Sequence, residues 1–160
     1  MVTVRKATLR DLDQMVKLRI EFYEDHLHYD PLLNPSSDPR VLRELKEEIK
    51  SYLSGDQGRK AAFVATDGLG FLGYINAEVK TQERIFKDRK GGHIPNIYVR
   101  PHMLRAKVGS ALVQAAHHWL KSKGATIVRL VVYLDNTSGM AFWDKMGYKA
   151  YQQHMYSFLR

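Results

Sequence analysis

Cysteine is absent from this chain of 160 residues. Without thiols the protein can have no disulfide, no thiolate nucleophile and no thiolate metal ligand, which fits a reducing compartment. Apolar runs are short as well, because none approaches the roughly 20 residues that a helix needs to cross a bilayer. The N-terminal segment MVTVRKATLRDL also lacks the apolar core of a signal peptide. These absences predict a cytoplasmic protein.

The composition is that of a globular protein, with 44% hydrophobic and 26% charged residues. A chain of this length is expected to form one domain, residues 1–160, with a substantial core. Lysine and arginine are in excess, which gives a net charge of +8 and a pI of about 9.7. This excess either attracts polyanions, such as nucleotides, acidic proteins or nucleic acid, or is a solvated surface.

Hydrophobic periodicity and turn residues predict a mixed α/β fold with one sheet, in the order β-α-α-β-β-β-α-β-α-β-β. Thr8 precedes Asp11 at capping-box spacing, and Asp38-Pro39 pairs an N-cap residue with proline at the first helical position. The predicted elements are strand 2–6, a helix from residue 8, a helix from 39 to about 53, strands 61–66, 71–79 and 93–100, helix 108–122, strand 125–134, helix 137–146, and one or two strands within 148–159.

The polar stretch Lys80–Gly92 holds five Lys/Arg residues against two Asp/Glu residues and is expected to be a mobile loop. The most informative stretch, His93–Tyr148, follows it. In that stretch a helix comes directly after a strand and a cationic loop, so its unpaired N–H groups form a ready site for a phosphate or pyrophosphate.

The element order, this stretch and the opening VRKATLRDLDQMVKL resemble the GNAT superfamily of N-acyltransferases over almost the whole chain. The resemblance implies a single mixed, mostly antiparallel sheet with flanking helices, in which the fourth strand splays from the fifth. It also implies that acetyl-CoA, the co-substrate, lies in the V-shaped gap. The backbone of Ile97, Tyr98 and Val99 would pair with the pantetheine arm.

The family's Q/R-x-x-G-x-G/A loop, whose amides hold the pyrophosphate, falls on residues 104–109. The corresponding cofactor-binding residues are Leu104, Arg105, Ala106, Lys107, Val108 and Gly109, with Ser110 next to them. Here the leading Gln/Arg is Leu104 and the first glycine is Lys107. Backbone contacts need no particular side chain, but a turn that required a glycine-only conformation would conflict with Lys107.

A second match follows the fifth strand, where the family has Asn, Ala, Tyr and Gly-Phe. This chain has Asn136, Gly139, Trp143 and Gly147-Tyr148. Asn136 would bind the cofactor or cap the short helix. Trp143 cannot protonate a leaving thiolate as the family's Tyr often does, so it would line the cofactor channel or pack in the core.

Acyl transfer to an amine needs a base, a polarised thioester and an exit for the thiolate. The Val99 amide is the expected donor to the thioester carbonyl. His93, at the start of strand four, is the first choice of base, since histidine titrates near pH 6.5, and Glu78 is the second. Tyr133 and Tyr148 are the candidate acids.

The first helix and the loop after it commonly line the acceptor pocket in this family. The residues expected to line it are Tyr23, Glu24, His26 and Asp30, of which Tyr23, Glu24 and Asp30 would attract a cationic amine. His26 and His28 lack a third defined ligand, so no metal is expected.

The sequence thus predicts an acetyl-CoA-dependent N-acetyltransferase that acts on a primary amine of a small molecule or peptide. Two alternatives stay open: an acyl-CoA-binding sensor or scaffold with little turnover, and a basic RNA-binding module. The latter has no RNP-type aromatic motif to support it. No membrane partner is expected, and a homodimer is possible.

Overall fold

A computed structural model describes residues 1–33, 38–81 and 90–159. In these ranges the helices are α1 (Leu12–His26), α2 (Pro39–Ser54), α3 (Val108–Ser122) and α4 (Thr137–Lys145), and the strands are β1 (Thr3–Lys6), β2 (Lys60–Thr66), β3 (Phe71–Thr81), β4 (Lys90–His93), β5 (Ile97–Val99) and β6 (Ile127–Arg129). None of the described helices combines the length and apolar character that crossing a membrane requires.

One sheet runs in the order β1-β2-β3-β4-β6, and β5 pairs with β3 farther along the same side as β4. All neighbours are antiparallel except β4 and β6, which are parallel. The predicted fold class, a mixed and mostly antiparallel sheet with flanking helices, is therefore confirmed.

Helices cover both faces of the sheet, because its strands alternate apolar side chains between the two sides. The face that carries Ile75 packs against the apolar stripe of α3, including Leu112 and Leu120. The opposite face, which carries Tyr74, packs against α1 and α2. We call these the α3 face and the α1/α2 face.

Several helix ends follow the predicted chemistry. Asp38 accepts a hydrogen bond from the Arg40 amide at 2.8 Å and caps α2, with Pro39 in the first position. Helix α3 spans the predicted residues 108–122. It is followed by Gly124, whose φ of +83° places it in the left-handed region that glycine tolerates best.

Asp11 joins the first strand to the first helix. Its carboxylate accepts two hydrogen bonds from the Arg5 guanidinium, each 2.8 Å long, and a third of 2.8 Å from the Thr8 amide. The Arg5 hydrogen bonds, opposed in part by burial, lower the pKa of Asp11 to about 2. The ionised carboxylate therefore fixes the entry of the chain into α1.

The predicted strand 93–100 is two strands, β4 and β5, separated by a bulge. His93 lies opposite Glu78, whereas Ile97 lies opposite Ile75, so Ile94–Asn96 oppose only two residues of β3. Pro95 has no N–H group and cannot continue the ladder. The two residues next to Pro95 remain hydrogen-bonded. The Ile94 amide donates to the Arg129 carbonyl, and the Asn96 carbonyl accepts from the Asn76 amide.

The predicted strand 125–134 is paired over a shorter range. Only Ile127–Arg129 pairs with β4, and residues 130–134 are not in a strand. The reason is the bulge, because beyond it β5 pairs with β3 alone. A gap therefore opens between β5 and residues 130–134, as expected for splayed strands.

Two expectations need correction. The final strands predicted within 148–159 are not formed, since that segment has no strand residues and its side chains from 149 onward are exposed. Its alternating pattern suits a strand, but a strand also needs a neighbour to pair with. The predicted loop Lys80–Gly92 begins and ends in paired strand, with Lys80 opposite Gly91, and its central residues 82–89 lie outside the described residues.

We predict that Asp11→Asn lowers the free energy of unfolding by about 2 kcal/mol at neutral pH, since the pKa falls from 3.8 to about 2 on folding. A lowered folded-state pKa stabilises the protein above the unfolded pKa, and this contribution is lost as pH falls from about 4 towards 2. Urea unfolding of both proteins at several pH values should show the difference shrinking in acid. A difference that is independent of pH would contradict the ionic role of Asp11.

Candidate active site

The gap between β5 and residues 130–134 is lined by backbone groups. On β5, the Arg100 amide donates to Leu72 and the Asn96 carbonyl accepts from Asn76, so even-numbered residues direct their polar groups to β3. The N–H groups of Ile97 and Val99 therefore point to the opposite edge, into the gap. The backbone of Tyr98 faces β3, which leaves Ile97 and Val99 as the residues that can pair with a ligand there.

In the loop before α3, two residues adopt a backbone conformation that their side chains disfavour. Arg105 and Lys107 have φ values of +65° and +62°, in the left-handed region. Lys107 occupies the position of the family's first glycine, and it adopts the turn despite its side chain. Such a residue costs of order 1 kcal/mol or more, which indicates that the surrounding structure requires the turn.

Most amides of this loop have no internal partner, but those of Leu104 and Ala106 donate to the carbonyls of Pro101 and Met103 and are not available to a ligand. Within the described chain, the first backbone bond of α3 is donated by Ala111 to Lys107, and no hydrogen bond is donated by the amides of Arg105 and 107–110. Lys107 also caps α3 without a side-chain hydrogen bond. Unpaired amides at a helix N-terminus favour an anion, and the exposed side chains of Arg105 and Lys107 add positive charge.

Gly109 has a packing role in addition to any contact with a phosphate. A Cβ atom at this position would lie 3.3 Å from the Phe142 ring and 3.7 Å from Val99. The absence of a side chain thus lets α3 approach both α4 and β5. Leu104, whose side chain is 61% exposed, provides no such contact.

The two residues matched after the fifth strand have structural roles. Asn136 caps α4, because its side-chain oxygen accepts from the Gly139 amide at 2.9 Å. A Cβ atom at Gly139 would lie 2.7 Å from that side chain, so a larger residue there would require Asn136 to shift. Trp143 is buried in the core, with its ring 4.9 Å from that of Tyr148.

Glu78 and His93 are brought together on the α1/α2 face, beside the bulge. His93 Nδ1 lies 2.8 Å from Glu78 Oε1, Lys80 Nζ lies 2.9 Å from the same oxygen, and the Tyr52 hydroxyl donates to Oε2 at 3.0 Å. The His93 hydrogen bond and those of Lys80 and Tyr52 lower the pKa of Glu78 to about 2. A carboxylate can only accept, so His93 Nδ1 carries the proton and Nε2 is left as an acceptor.

Tyr133, Asp30 and His26 form a second group on the same face. The Tyr133 hydroxyl donates to Asp30 at 2.6 Å, and burial with this carboxylate raises the pKa of Tyr133 to about 12. His26 Nδ1 donates to the Phe22 carbonyl at 2.7 Å, and its ring stacks on that of Phe22. Tyr29 completes an aromatic cluster with ring-centroid distances of 5.8 Å to His26 and 6.2 Å to Tyr133.

Tyr148 is separated from these groups. It packs on the α3 face, and its hydroxyl shares a 2.6 Å hydrogen bond with His117 Nε2. Burial lowers the pKa of His117, which keeps the ring neutral and able to accept, and raises the pKa of Tyr148 to about 12. Of the two candidate acids, only Tyr133 therefore lies on the segment that borders the gap.

The remaining acceptor-site candidates differ in their surroundings. Tyr23 turns inward, where its ring lies 5.9 Å from the guanidinium carbon of the buried Arg19, whereas Glu24 is exposed. Sequence reasoning missed Tyr52, which supports Glu78 from α2, and Tyr29, which stacks on Tyr133. No local signal identifies either residue, since both contacts depend on how α1 and α2 pack on the sheet. Among the described residues, no three metal-binding side chains cluster.

Comparisons with known proteins agree with this geometry. The sequence model of the acetyltransferase (GNAT) family matches residues 15–148. The chain belongs to this family. It is accordingly an N-acetyltransferase, and its co-substrate is an acyl-CoA.

Two characterised relatives are amine acetyltransferases. The aminoglycoside N(6')-acetyltransferase type 1 of Klebsiella aerogenes is 34% identical over 87 residues, which cover 52% of this chain and 57% of that enzyme. The spermidine N(1)-acetyltransferase of Thermoplasma acidophilum is 22% identical over 156 residues, 92% of this chain and 88% of that enzyme. The match to the spermidine acetyltransferase therefore spans most of both chains. The match to the aminoglycoside acetyltransferase has the higher identity but covers about half of each chain.

A solved structure shows the same fold. A predicted acetyltransferase from Clostridium acetobutylicum, crystallised with acetyl-CoA, superimposes with a TM-score of 0.81 over 99% of this chain and 96% of that one, at 16% identity.

A pair of substitutions at Lys107 tests whether its left-handed turn matters for acyl-CoA binding. Lys107→Gly and Lys107→Val both remove the charge, but only valine resists a positive φ. We expect the KM for acyl-CoA to be about 5- to 30-fold higher in Lys107→Val than in Lys107→Gly, from a strain of about 1–2 kcal/mol. Equal KM values in steady-state assays would show that the turn is not needed.

Proposed function

We propose that this chain transfers an acetyl group from acetyl-CoA to a primary amine of a small cationic molecule. The observation that carries the proposal is the gap itself. Its β5 edge presents the free N–H groups of Ile97 and Val99, and the loop before α3 presents the unpaired amides of Arg105 and 107–110. An acyl-CoA needs the first for its pantetheine arm and the second for its pyrophosphate.

The proposed chemistry divides between the two sides of the gap. The Val99 amide donates to the thioester carbonyl and stabilises the negative charge that develops on its oxygen. The neutral amine attacks the carbonyl carbon, a C–N bond forms, and the C–S bond breaks. Because thiols titrate near pH 8.5, the departing thiolate needs only modest help to take up a proton. Tyr133 is better placed to help than Tyr148, because Tyr133 lies on the segment that borders the gap, whereas Tyr148 packs on the α3 face.

His93 is the better candidate for the base that takes the amine's proton. The pKa of Glu78 is about 2, so its carboxylate would have little tendency to hold a proton near neutral pH. Glu78 instead holds the Nδ1–H of His93 and leaves Nε2 free to accept. In this scheme Glu78 is a positioning residue, and Tyr52 and Lys80 keep its carboxylate in place.

A small cationic acceptor fits the α1/α2 face. Asp30 supplies negative charge at the end of the gap, and the rings of Phe22, Tyr29 and Tyr133 provide aromatic surface beside it. Carboxylates and ring faces both attract ammonium groups. The two characterised relatives, which are named for spermidine and an aminoglycoside, act on molecules rich in amino groups, and this supports the same class here.

The base is tested with His93→Ala and Glu78→Gln in a thiol-release assay with acetyl-CoA and a panel of amines. We expect His93→Ala to lower kcat by about 10²–10⁴-fold, to leave the KM for acetyl-CoA within a few fold, and to remove the acidic limb of the kcat–pH profile. Glu78→Gln should lower kcat by less, because His93 remains. His118→Ala, an exposed histidine on α3, is the matched control. A wild-type pH profile in His93→Ala would exclude this base.

The acceptor class is tested with Asp30→Asn. We expect this variant to raise the KM for polyamines such as spermidine by about 5- to 20-fold, since one charge-assisted contact of about 1–2 kcal/mol is lost. The KM for acetyl-CoA should be unchanged. Asp67→Asn in the β2–β3 turn is the matched control. If the two variants have the same amine KM, Asp30 does not bind the acceptor.

A further inference from the structure

The two sides of the gap are not joined to each other by the sheet. Among the described residues, no backbone hydrogen bond connects β5 with residues 130–134. Strand β5 is itself short, Ile97–Val99, and pairs with β3 alone. A short strand with a single neighbour has few bonds to hold it and opens locally more readily than a central strand. Contacts from outside the sheet must therefore fix the two sides relative to each other.

Helix α1 supplies such a contact to β5. The Arg100 guanidinium donates to both carboxylate oxygens of Glu21, from Nη2 at 2.7 Å and from Nε at 3.0 Å. The Arg100 amide donates to the Leu72 carbonyl at 2.9 Å, so this residue is held by the sheet at its backbone and by α1 at its side chain. A bidentate pair of this kind fixes orientation as well as distance.

Two more residues of α1 contact the same strand. The Phe22 ring packs edge-on against the buried Tyr98 ring, with the ring centroids 6.5 Å apart. Burial, together with a hydrogen bond from its hydroxyl to the Asp25 carboxylate, raises the pKa of Tyr98. Glu21 and Asp25 are four residues apart, so they lie on one side of the helix. The C-terminal half of α1 is thus fastened to β5 along that side.

The end of α1 and the chain just beyond it contact the other side of the gap. Asp30 accepts a hydrogen bond of 2.6 Å from the Tyr133 hydroxyl. The ring of His26, the last residue of α1, lies 6.1 Å from that of Tyr133. Residues 21–30 therefore bridge the two sides that the sheet leaves unconnected, with Glu21 at one end of the bridge and Asp30 at the other.

We propose that Glu21 and Arg100 are positioning residues for acyl transfer. Their ion pair holds residues 21–30 against β5, and so holds the acceptor side, with Asp30 and Tyr133, at a fixed distance from the Val99 amide. The inference rests on the proposed function, which assigns the thioester carbonyl to that amide and the amine to that side. Reacting atoms must approach to about 3–3.5 Å, and an error of about 1 Å can lower a rate by about 10²-fold.

Arg100 also has a competing role to be weighed, because it lies beside the loop proposed for the pyrophosphate. Its charge is already balanced by Glu21, and both side chains are partly buried, with 29% and 33% of their surfaces exposed. Its Nε–H and Nη2–H, the fork that would face a phosphate side-on, both point to the Glu21 carboxylate. This geometry favours a link between two elements over a contact with phosphate.

Kinetics of Glu21→Gln and Arg100→Gln test the proposal, with acetyl-CoA and spermidine in a thiol-release assay. We expect both variants to lower kcat by about 5- to 30-fold. The KM for acetyl-CoA should stay within about 2-fold, because Ile97 and Val99 remain paired with β3. Arg100→Lys keeps the charge but not the bidentate geometry, so it should be as slow as Arg100→Gln. The matched control is Glu47→Gln, which breaks the exposed pair with Lys50 on α2 and should keep the wild-type kcat.

Reversing the pair separates positioning from a general loss of stability. Glu21→Arg/Arg100→Glu restores the ion pair in the opposite sense, so we expect it to recover most of the wild-type kcat. Circular dichroism should be unchanged in all variants, because both side chains are partly exposed. A wild-type kcat in Glu21→Gln, or a reversed pair as slow as the single variants, would overturn the proposal. A raised KM for acetyl-CoA in Arg100→Gln alone would overturn it as well, by assigning Arg100 to the phosphate.

Hydrogen exchange with coenzyme A tests the link without any amine. Coenzyme A is expected to pair with the free edge of β5 and to slow exchange there and, through the ion pair, at residues 21–30. In Glu21→Gln the slowing should persist at residues 97–99 and disappear at 21–30. Equal slowing at residues 21–30 in both proteins contradicts the inference. If no amine is acetylated but the exchange result holds, the proposed function fails while the link between α1 and β5 stands.

Discussion

The bulge at Ile94–Asn96 is the constraint on which the rest of the structure depends. Before it, β4 is bonded on both sides, to β3 and to β6. After it, β5 is bonded to β3 alone. Pro95 has no N–H group, and one extra residue shifts the register, so the ladder cannot be carried across. The unpaired N–H groups of Ile97 and Val99 follow from this local break.

The bulge also determines where the side chains of the site lie. His93 is the last residue of β4, and its pairing with Glu78 puts both side chains on the α1/α2 face. The Val99 amide, beyond the bulge, points into the gap. The proposed base on one face and the proposed backbone donor in the gap would act on two different atoms of one reacting centre, which an acyl transfer requires.

Much of the fold could be predicted from local signals. The bounds of α3 and the Asp38 cap depend on residues close in sequence, and the structure confirms them. The contact of Glu78 with Tyr52 joins residues 26 apart and depends on helix packing, so no pattern reveals it. The division of the predicted strand 93–100 into β4 and β5 could not be predicted, because the register that produces it is defined only by pairing with the neighbouring strands.

The candidate site could likewise be predicted only where it depends on residues close in sequence. The position of the candidate anion-binding loop follows from a strand, a loop and a helix in succession, but its left-handed residues do not, because arginine and lysine rarely adopt that conformation. For Asn136 and Trp143, the family positions left a role at the cofactor and a structural role open, and the structure shows the structural one, capping by Asn136 and core packing by Trp143. Side chains matched by position can thus support the fold around a site.

The C-terminal segment shows why strand propensity alone is an incomplete signal. The prediction of strands within 148–159 was wrong for the single chain, although its alternation and aromatic content suit a strand. The chain also has, at residues 130–134, an edge without backbone donors in use. A strand-forming segment without an edge, and an edge without a strand, are each unfavourable in water. Strand propensity therefore predicts a strand only together with a neighbour whose backbone is positioned to pair with it.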